Sequence, residues 1–189
     1  SRYMNGELDK VSHSADRSIY LYLFVNGRYG TFSTNRLDKD GLEDFIMQAI
    51  VMVGMLGEDE CRQLPSPQRT AKDALTGLEL GLYDPCYEEF SSEQRLERAL
   101  SMSRFNSIAL TEAYTVISEE CEYAESSDDT LLIDSQGFEG RHKETSFNCF
   151  AELTIQDKEG NRYSGYWWEA SPHREELPTE GCCGKALER

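Results

Sequence analysis

Two stretches of the chain carry the same order of apolar and polar positions. In the first, β-branched and aromatic residues run from Ile19 to Val25, Asn26-Gly27 interrupts them, and Arg28 to Thr34 resumes the pattern. Asn-Gly suits the two positive-φ positions of a type I′ turn, so this pattern predicts a β-hairpin. Leu42, Phe45, Ile46, Ala49, Ile50 and Val53 then recur at helical spacing. Asp38 stands where it can cap the free amides of that helix, and Leu37 where it can pack on Leu42 as a staple. Gly57 is the expected stop.

Residues 57 to 90 show no sustained period. Pro65, Pro67, Gly77, Gly81 and Pro85 punctuate them, and the segment reads as a connector between two lobes. The second pattern opens at Ser91, with Gln94 completing a capping box and Leu96, Ala99 and Leu100 forming an apolar stripe. Ile108 to Tyr123 reads as a long strand, Ser126 to Asp129 as a turn, and Thr130 to Asp134 as a short strand. Cys149, Ala151, Leu153 and Ile155 alternate with Phe150, Glu152, Thr154 and Gln156, which is strand period. A loop at Asp157 to Gly160 leads to a strand over Arg162 to Ala170, and a last helix begins near Pro178.

The two patterns can be laid on one another. Phe150-Ala151-Glu152-Leu153 falls on Tyr20-Leu21-Tyr22-Leu23, and Leu177 to Gly181 on Leu37 to Gly41, with gaps confined to turns. This order predicts an internal duplication. The expected fold class is α+β, with duplicated helix–antiparallel β–helix lobes whose helices cover one sheet face. The first repeat is placed at 1–56, the connector at 57–90 and the second repeat at 91–189. The second copy holds a helix and strands with no counterpart in the first, so roughly 40 residues are expected ahead of Ser1. The last residues carry no helix stop, so the chain is also expected to continue, as one N-terminal domain of a longer protein.

Charge narrows the function classes. Lys and Arg number 19 against 35 Asp and Glu, a formal charge of −16 over 189 residues. Such a surface repels nucleic-acid phosphates and anionic lipid, so neither is an expected partner. It leaves room for an acidic protein that imitates DNA toward a basic partner. The six cysteines form no CxxC pair, which argues against a zinc knuckle. Cys182 and Cys183 are expected on the packing side of a helix in a reduced, cytoplasmic protein.

Candidate chemistry is sparse. His13 and His142 are expected on strands and His173 in a loop, with no spacing that presents two imidazoles to a metal. Asp38, Asp40 and Glu43 fit helix capping better than a calcium loop. Glu119, Glu120, Glu122, Glu125, Asp128 and Asp129 form a dense acidic run read as solvated, since paired carboxylates need a shielded cleft to do acid–base work. Trp167-Trp168 should place one indole in the core and one at an interface. No catalytic, cofactor-binding or metal-ligating residue is assigned.

The stretch FVNGRYGTFSTNRLDKDGLEDFIMQAI resembles the TldD/PmbA (TldE) family. So do Leu82-Tyr83-Asp84-Pro85, the capped helix after it, and Asp134-Ser135-Gln136-Gly137, which is similar to the family's Asn-Ser-x-Gly with Asp in place of Asn. The resemblance implies an N-terminal α+β domain with a duplicated pattern, followed by a β-rich domain. It implies a cytoplasmic peptidase of paired subunits, with a sister TldD/TldE-type subunit or a second copy as partner and a peptide as substrate. It also implies that any zinc is held by HExxxH and a later Cys outside this region, so no cofactor is expected on these residues. The expected role is to shape substrate access and subunit contacts. Arg28 to Thr34 could receive an extended peptide by strand addition. The family's label as modulator of DNA gyrase fits the alternative of an acidic interaction protein.

Overall fold

A computed structural model describes residues 1–71, 76, 78–103 and 112–189. The chain divides into two compact units, residues 1–12 with 72–189, and residues 13–71. The first twelve residues, expected within the first repeat, therefore group with the second half.

The larger unit is a five-stranded antiparallel sheet. Its strands are β1 (Arg2–Met4), β2 (Glu7–Lys10), β5 (Tyr114–Ile133), β6 (Glu139–Asp157) and β7 (Arg162–Ser171), in the order β2-β1-β5-β6-β7. Helices α2 (Ser92–Met102) and α3 (Cys182–Leu187) supply the other side of the core. The core joins Ala99 and Met102 of α2, Cys121 and Tyr123 of β5, Phe147, Cys149, Ala151 and Leu153 of β6, and Cys182, Cys183 and Ala186 of α3. The alternation read at Cys149, Ala151 and Leu153 is thus the buried face of β6. Ser91 caps α2 as expected: its hydroxyl accepts from the Gln94 amide at 3.3 Å, while the Gln94 side chain accepts from the Ser91 amide at 2.9 Å. Of the expected strand Ile108 to Tyr123, positions 108–111 lie outside the described residues.

One expected element is absent. Ser126 to Asp129 is no turn but the middle of β5, paired in register with Ser146 to Lys143 of β6. Local composition favours a turn there, yet the cross-strand Arg141 and Lys143 both form ion pairs with Asp129 and hold it in the ladder. The reversal comes later, at Asp134 to Gly137. There Asp134 Oδ1 accepts from the amides of Gln136 (2.8 Å) and Phe138 (3.0 Å), and Gly137 adopts φ +91°.

The segment Leu82 to Pro85 is tied to the sheet. Asp84 is buried and accepts from the amides of Cys86 and Arg174, each at 2.9 Å, while its own amide donates to Thr145 Oγ at 2.8 Å. Burial pushes the Asp84 carboxyl up, but these amides outweigh it and leave it below its usual value. The Arg174 guanidinium stacks on Phe90, 3.8 Å from the ring centre.

The smaller unit holds β3 (Ile19–Val25), β4 (Arg28–Thr34) and α1 (Lys39–Gly54). The hairpin has the expected register, from Val25 opposite Arg28 to Ile19 opposite Thr34. Asn26 and Gly27 take φ +48° and +73°, as the turn requires. Asp38 caps α1, accepting from the Gly41 amide at 2.7 Å. The helix ends at Gly54, ahead of Gly57. Ala49 and Val53 are fully buried, but Ile46 and Ile50 on the same expected stripe stay 39% and 38% exposed. Two strands are too narrow to cover the stripe.

Both hairpins meet their following helix at a glycine. Gly30 lies opposite Leu23, and a Cβ there would fall 2.8 Å from Val53 of α1. Gly165 lies opposite Leu153, and a Cβ there would fall 2.1 Å from the Ala186 carbonyl of α3.

Candidate functional site

Strand β5 carries a buried polar cluster that the sequence pattern hides. Alternation running from Val116 would turn Ser118 and Glu120 inward. A bulge between Val116 and Ser118 resets the phase, so Glu119, Cys121 and Tyr123 face the core instead. Asn5, at φ +52° in the turn after β1, fixes this register: its side chain accepts from the Glu119 amide at 2.9 Å and its amide donates to Glu119 O at 2.8 Å.

Helix α3 delivers two adjacent cysteines above that strand. Both lie on its packing side, as expected, and each faces another thiol. Cys183 Sγ is 3.2 Å from Cys121 Sγ, and Cys182 Sγ is 3.5 Å from Cys149 Sγ. Glu119 joins only the first pair, with Oε1 at 3.1 Å from Cys183 Sγ and 3.8 Å from Cys121 Sγ. Its second oxygen accepts from Ser103 Oγ at 3.3 Å. Burial raises the Glu119 carboxyl above its usual value, against the lowering effect of these donors. The neighbouring Cys121 and burial push the Cys183 thiol up. The acidic residue was legible in sequence only as one of six; the bulge that selects it was not.

The rest of the acidic run is largely neutralised rather than free. Glu120 pairs with Arg2, Glu125 with Arg95, and Asp129 with Arg141 and Lys143. Alternation puts Glu119 and Glu120 on opposite faces, so they form no shared carboxylate pair. The histidines lie apart. His13 sits in the connection after β2 rather than on a strand, His142 on β6 pairs with Glu144 at 3.0 Å, and His173 meets Gly81 O at 2.7 Å. Trp167 packs on the core, and Trp168 is 64% exposed beside Tyr166 at 66%. In the smaller unit no strand pairs with the outer edge of β4 among the described residues. In a two-residue hairpin the amides of Tyr29, Thr31 and Ser33 point to that edge.

Among the described residues no helix is long and apolar enough to cross a membrane.

Two family models match in order: PmbA/TldA metallopeptidase domain 1 over residues 2–53, and PmbA/TldA metallopeptidase central domain over residues 87–189. They leave residues 54–86 between them. No curated protein matches. A structure from Bacteroides thetaiotaomicron, described as a candidate modulator of DNA gyrase, shares 32% identity over 100% of this chain, with a TM-score of 0.87. One from Thermotoga maritima with a similar description shares 20% over 99%, TM-score 0.71. TldE from Thermococcus kodakarensis shares 15% over 99%, TM-score 0.66, and supports the fold alone. This chain spans 41%, 40% and 40% of those three chains. The α+β reading of the sequence stands, and the chain belongs to the PmbA/TldD metallopeptidase family.

Proposed function

We propose that this chain forms the non-catalytic, substrate-side part of a PmbA/TldD-type cytoplasmic peptidase subunit, guiding extended peptides and contacting a sister subunit or a second copy. The observation that carries the reading is the ordered match of two metallopeptidase domain models on a sequence whose histidines stand at 13, 142 and 173. That set cannot make HExxxH, so these residues do not fit the family's catalytic zinc, and no chemical step is assigned to them. The open edge of β4 supports a route for peptide: its outward amides at Thr31 and Ser33 lie on exposed residues and offer main-chain hydrogen bonds to an added strand. The exposed Trp168 and Tyr166 support a protein contact on the larger unit.

The test is competition binding of a labelled unstructured peptide to the chain and to Thr31→Pro. Proline removes one outward amide and is tolerated at an edge strand. Weaker binding by the variant, with unchanged circular dichroism, supports strand addition. Equal binding removes it.

A second reading draws on the two structural relatives described as candidate modulators of DNA gyrase and on the −16 charge. It predicts salt-sensitive binding to gyrase. The ion pairs along β5 weigh against that strand as the mimicking surface, since Arg2, Arg95, Arg141 and Lys143 offset its carboxylates locally.

A further inference from the structure

The cluster of Glu119, Cys121 and Cys183 is incomplete as a set of hydrogen bonds. Glu119 is 5% exposed, Cys121 0% and Cys183 2%. A buried carboxylate is costly unless a cation or strong donors answer it. Among the described residues Glu119 forms no ion pair, and it meets one hydroxyl and two thiols, which are weak donors. Cys183 has a single S–H, yet its sulfur lies within reach of two oxygens, Met102 O at 3.0 Å and Glu119 Oε1 at 3.1 Å, besides the Cys121 thiol at 3.2 Å. One proton cannot fully serve both oxygens, whereas one cation can.

The triangle of donors lies within about 0.6 Å, on every edge, of the size a small soft ion requires. Tetrahedral zinc with Zn–S of about 2.3 Å and Zn–O of about 2.1 Å places two sulfurs about 3.8 Å apart and sulfur and oxygen about 3.6 Å apart. The three edges here are 3.2, 3.1 and 3.8 Å, and all the donor atoms lie within 4.8 Å of one another. Small side-chain rotations close the difference. The Met102 carbonyl, at the last residue of α2 and 3.0 Å from Cys183 Sγ, offers a fourth donor atom at the negative end of that helix. The neighbouring pair is an internal contrast. Cys149 and Cys182 also meet, but their other acceptor is the Pro178 carbonyl, at 3.7 and 3.5 Å, and the nearby Glu169 carboxylate is engaged by Lys185 rather than by either thiol among the described residues.

We propose that Glu119, Cys121 and Cys183 bind one zinc-class divalent ion that fastens α3 and the end of α2 to β5. Two thiolates and a carboxylate suit a borderline-soft metal, and a buried, closed donor set marks a structural rather than a catalytic site. Binding forms two metal–sulfur bonds and two metal–oxygen bonds, to Glu119 and the Met102 carbonyl, releases the two thiol protons to solvent and changes no oxidation state. The site is separate from the peptidase reading and does not depend on it.

The 189-residue chain, reduced and stripped with chelator, is titrated with Zn(II), and with Co(II) as a spectroscopic probe. The expected result is one equivalent bound, thiolate-to-cobalt charge-transfer bands, tetrahedral d–d bands and a higher melting temperature with zinc. Cys183→Ser and Glu119→Gln weaken binding by at least about tenfold, a ligand costing no less than a supporting residue. Cys182→Ser keeps the full equivalent. Circular dichroism of the metal-free variants separates loss of ligand from loss of fold, and Glu119→Gln retains the shape of the parent. Absence of charge-transfer bands in folded, fully reduced protein overturns the proposal. So does equal loss of metal in Cys182→Ser, or a Cys121–Cys183 disulfide in the protein isolated without reductant.

Discussion

A single methyl group added at Gly165 tests how α3 is seated. The Cβ of Gly165→Ala would fall 2.1 Å from the Ala186 carbonyl oxygen, against about 3.4 Å for ordinary contact. The helix must therefore back off the sheet by about 1.3 Å, because a main-chain carbonyl cannot rotate aside as a side chain can. Overpacking of this kind costs about 1–3 kcal/mol, and a main-chain clash belongs at the upper end. For a chain of this size 3 kcal/mol lowers the melting temperature by about 6–12 °C. Retreat of α3 also opens Cys182, Cys183 and Ala186, all now buried. Thermal melts in chelator, followed by tryptophan fluorescence, read the change directly, since Lys185 and Arg189 both lie 5.0 Å from the Trp167 ring. Gly184→Ala is the matched control. A Cβ there meets nothing within 4 Å, and alanine favours the helix by up to about 1 kcal/mol, so this variant should melt about 2–4 °C higher. The same methyl, placed on the strand under α3 or within α3 itself, thus shifts stability in opposite directions. A Gly165→Ala protein that melts with the parent would refute the seating of α3.

Three further outcomes follow from the local geometry. Ser91→Ala removes the capping hydroxyl of α2 and should cost about 1 kcal/mol in urea denaturation. Asp84→Asn should cost about 2 kcal/mol at neutral pH, because the carboxylate accepts two buried amides. The Asp84 carboxyl lies lower in the folded than in the unfolded chain, so its stabilisation is present above the unfolded value and fades as pH falls. The gap between parent and Asp84→Asn should therefore narrow in acid. Glu119 has the opposite sign: with its folded value raised, the unfolded chain ionises first as pH rises, and stability declines. Metal-free Glu119→Gln should escape that decline, matching the parent in acid and exceeding it at neutral pH in paired melts.

What could be read from sequence was what is encoded within a few residues. Asn26-Gly27 set the hairpin register, Asp38 and Ser91 set helix starts, and alternation around Ala151 marked the core face of β6. Distant partners decided the rest. Ser126 to Asp129 has turn composition but lies in a strand, where Lys143 stands opposite Asp129 and Arg141, opposite Leu131, reaches it diagonally. Arg2 to Met4 joined the second half because it pairs with Glu120 to Glu122. Glu119 reads as solvated with its neighbours because the one-residue bulge that turns it inward is invisible in composition. The thiol pairs were hidden for the same reason: Cys121 and Cys183 meet only once α3 is folded over β5.

The peptidase reading is tested most directly by the native transcript on both sides of this segment. The account predicts a reading frame that runs on past Arg189 into a β-rich domain, in keeping with relatives of which this chain spans 41%. An HExxxH motif there would make this the gatekeeping part of a zinc peptidase subunit, and its absence the non-catalytic partner. A stop codon soon after Arg189 would contradict the account and favour the acidic interaction protein.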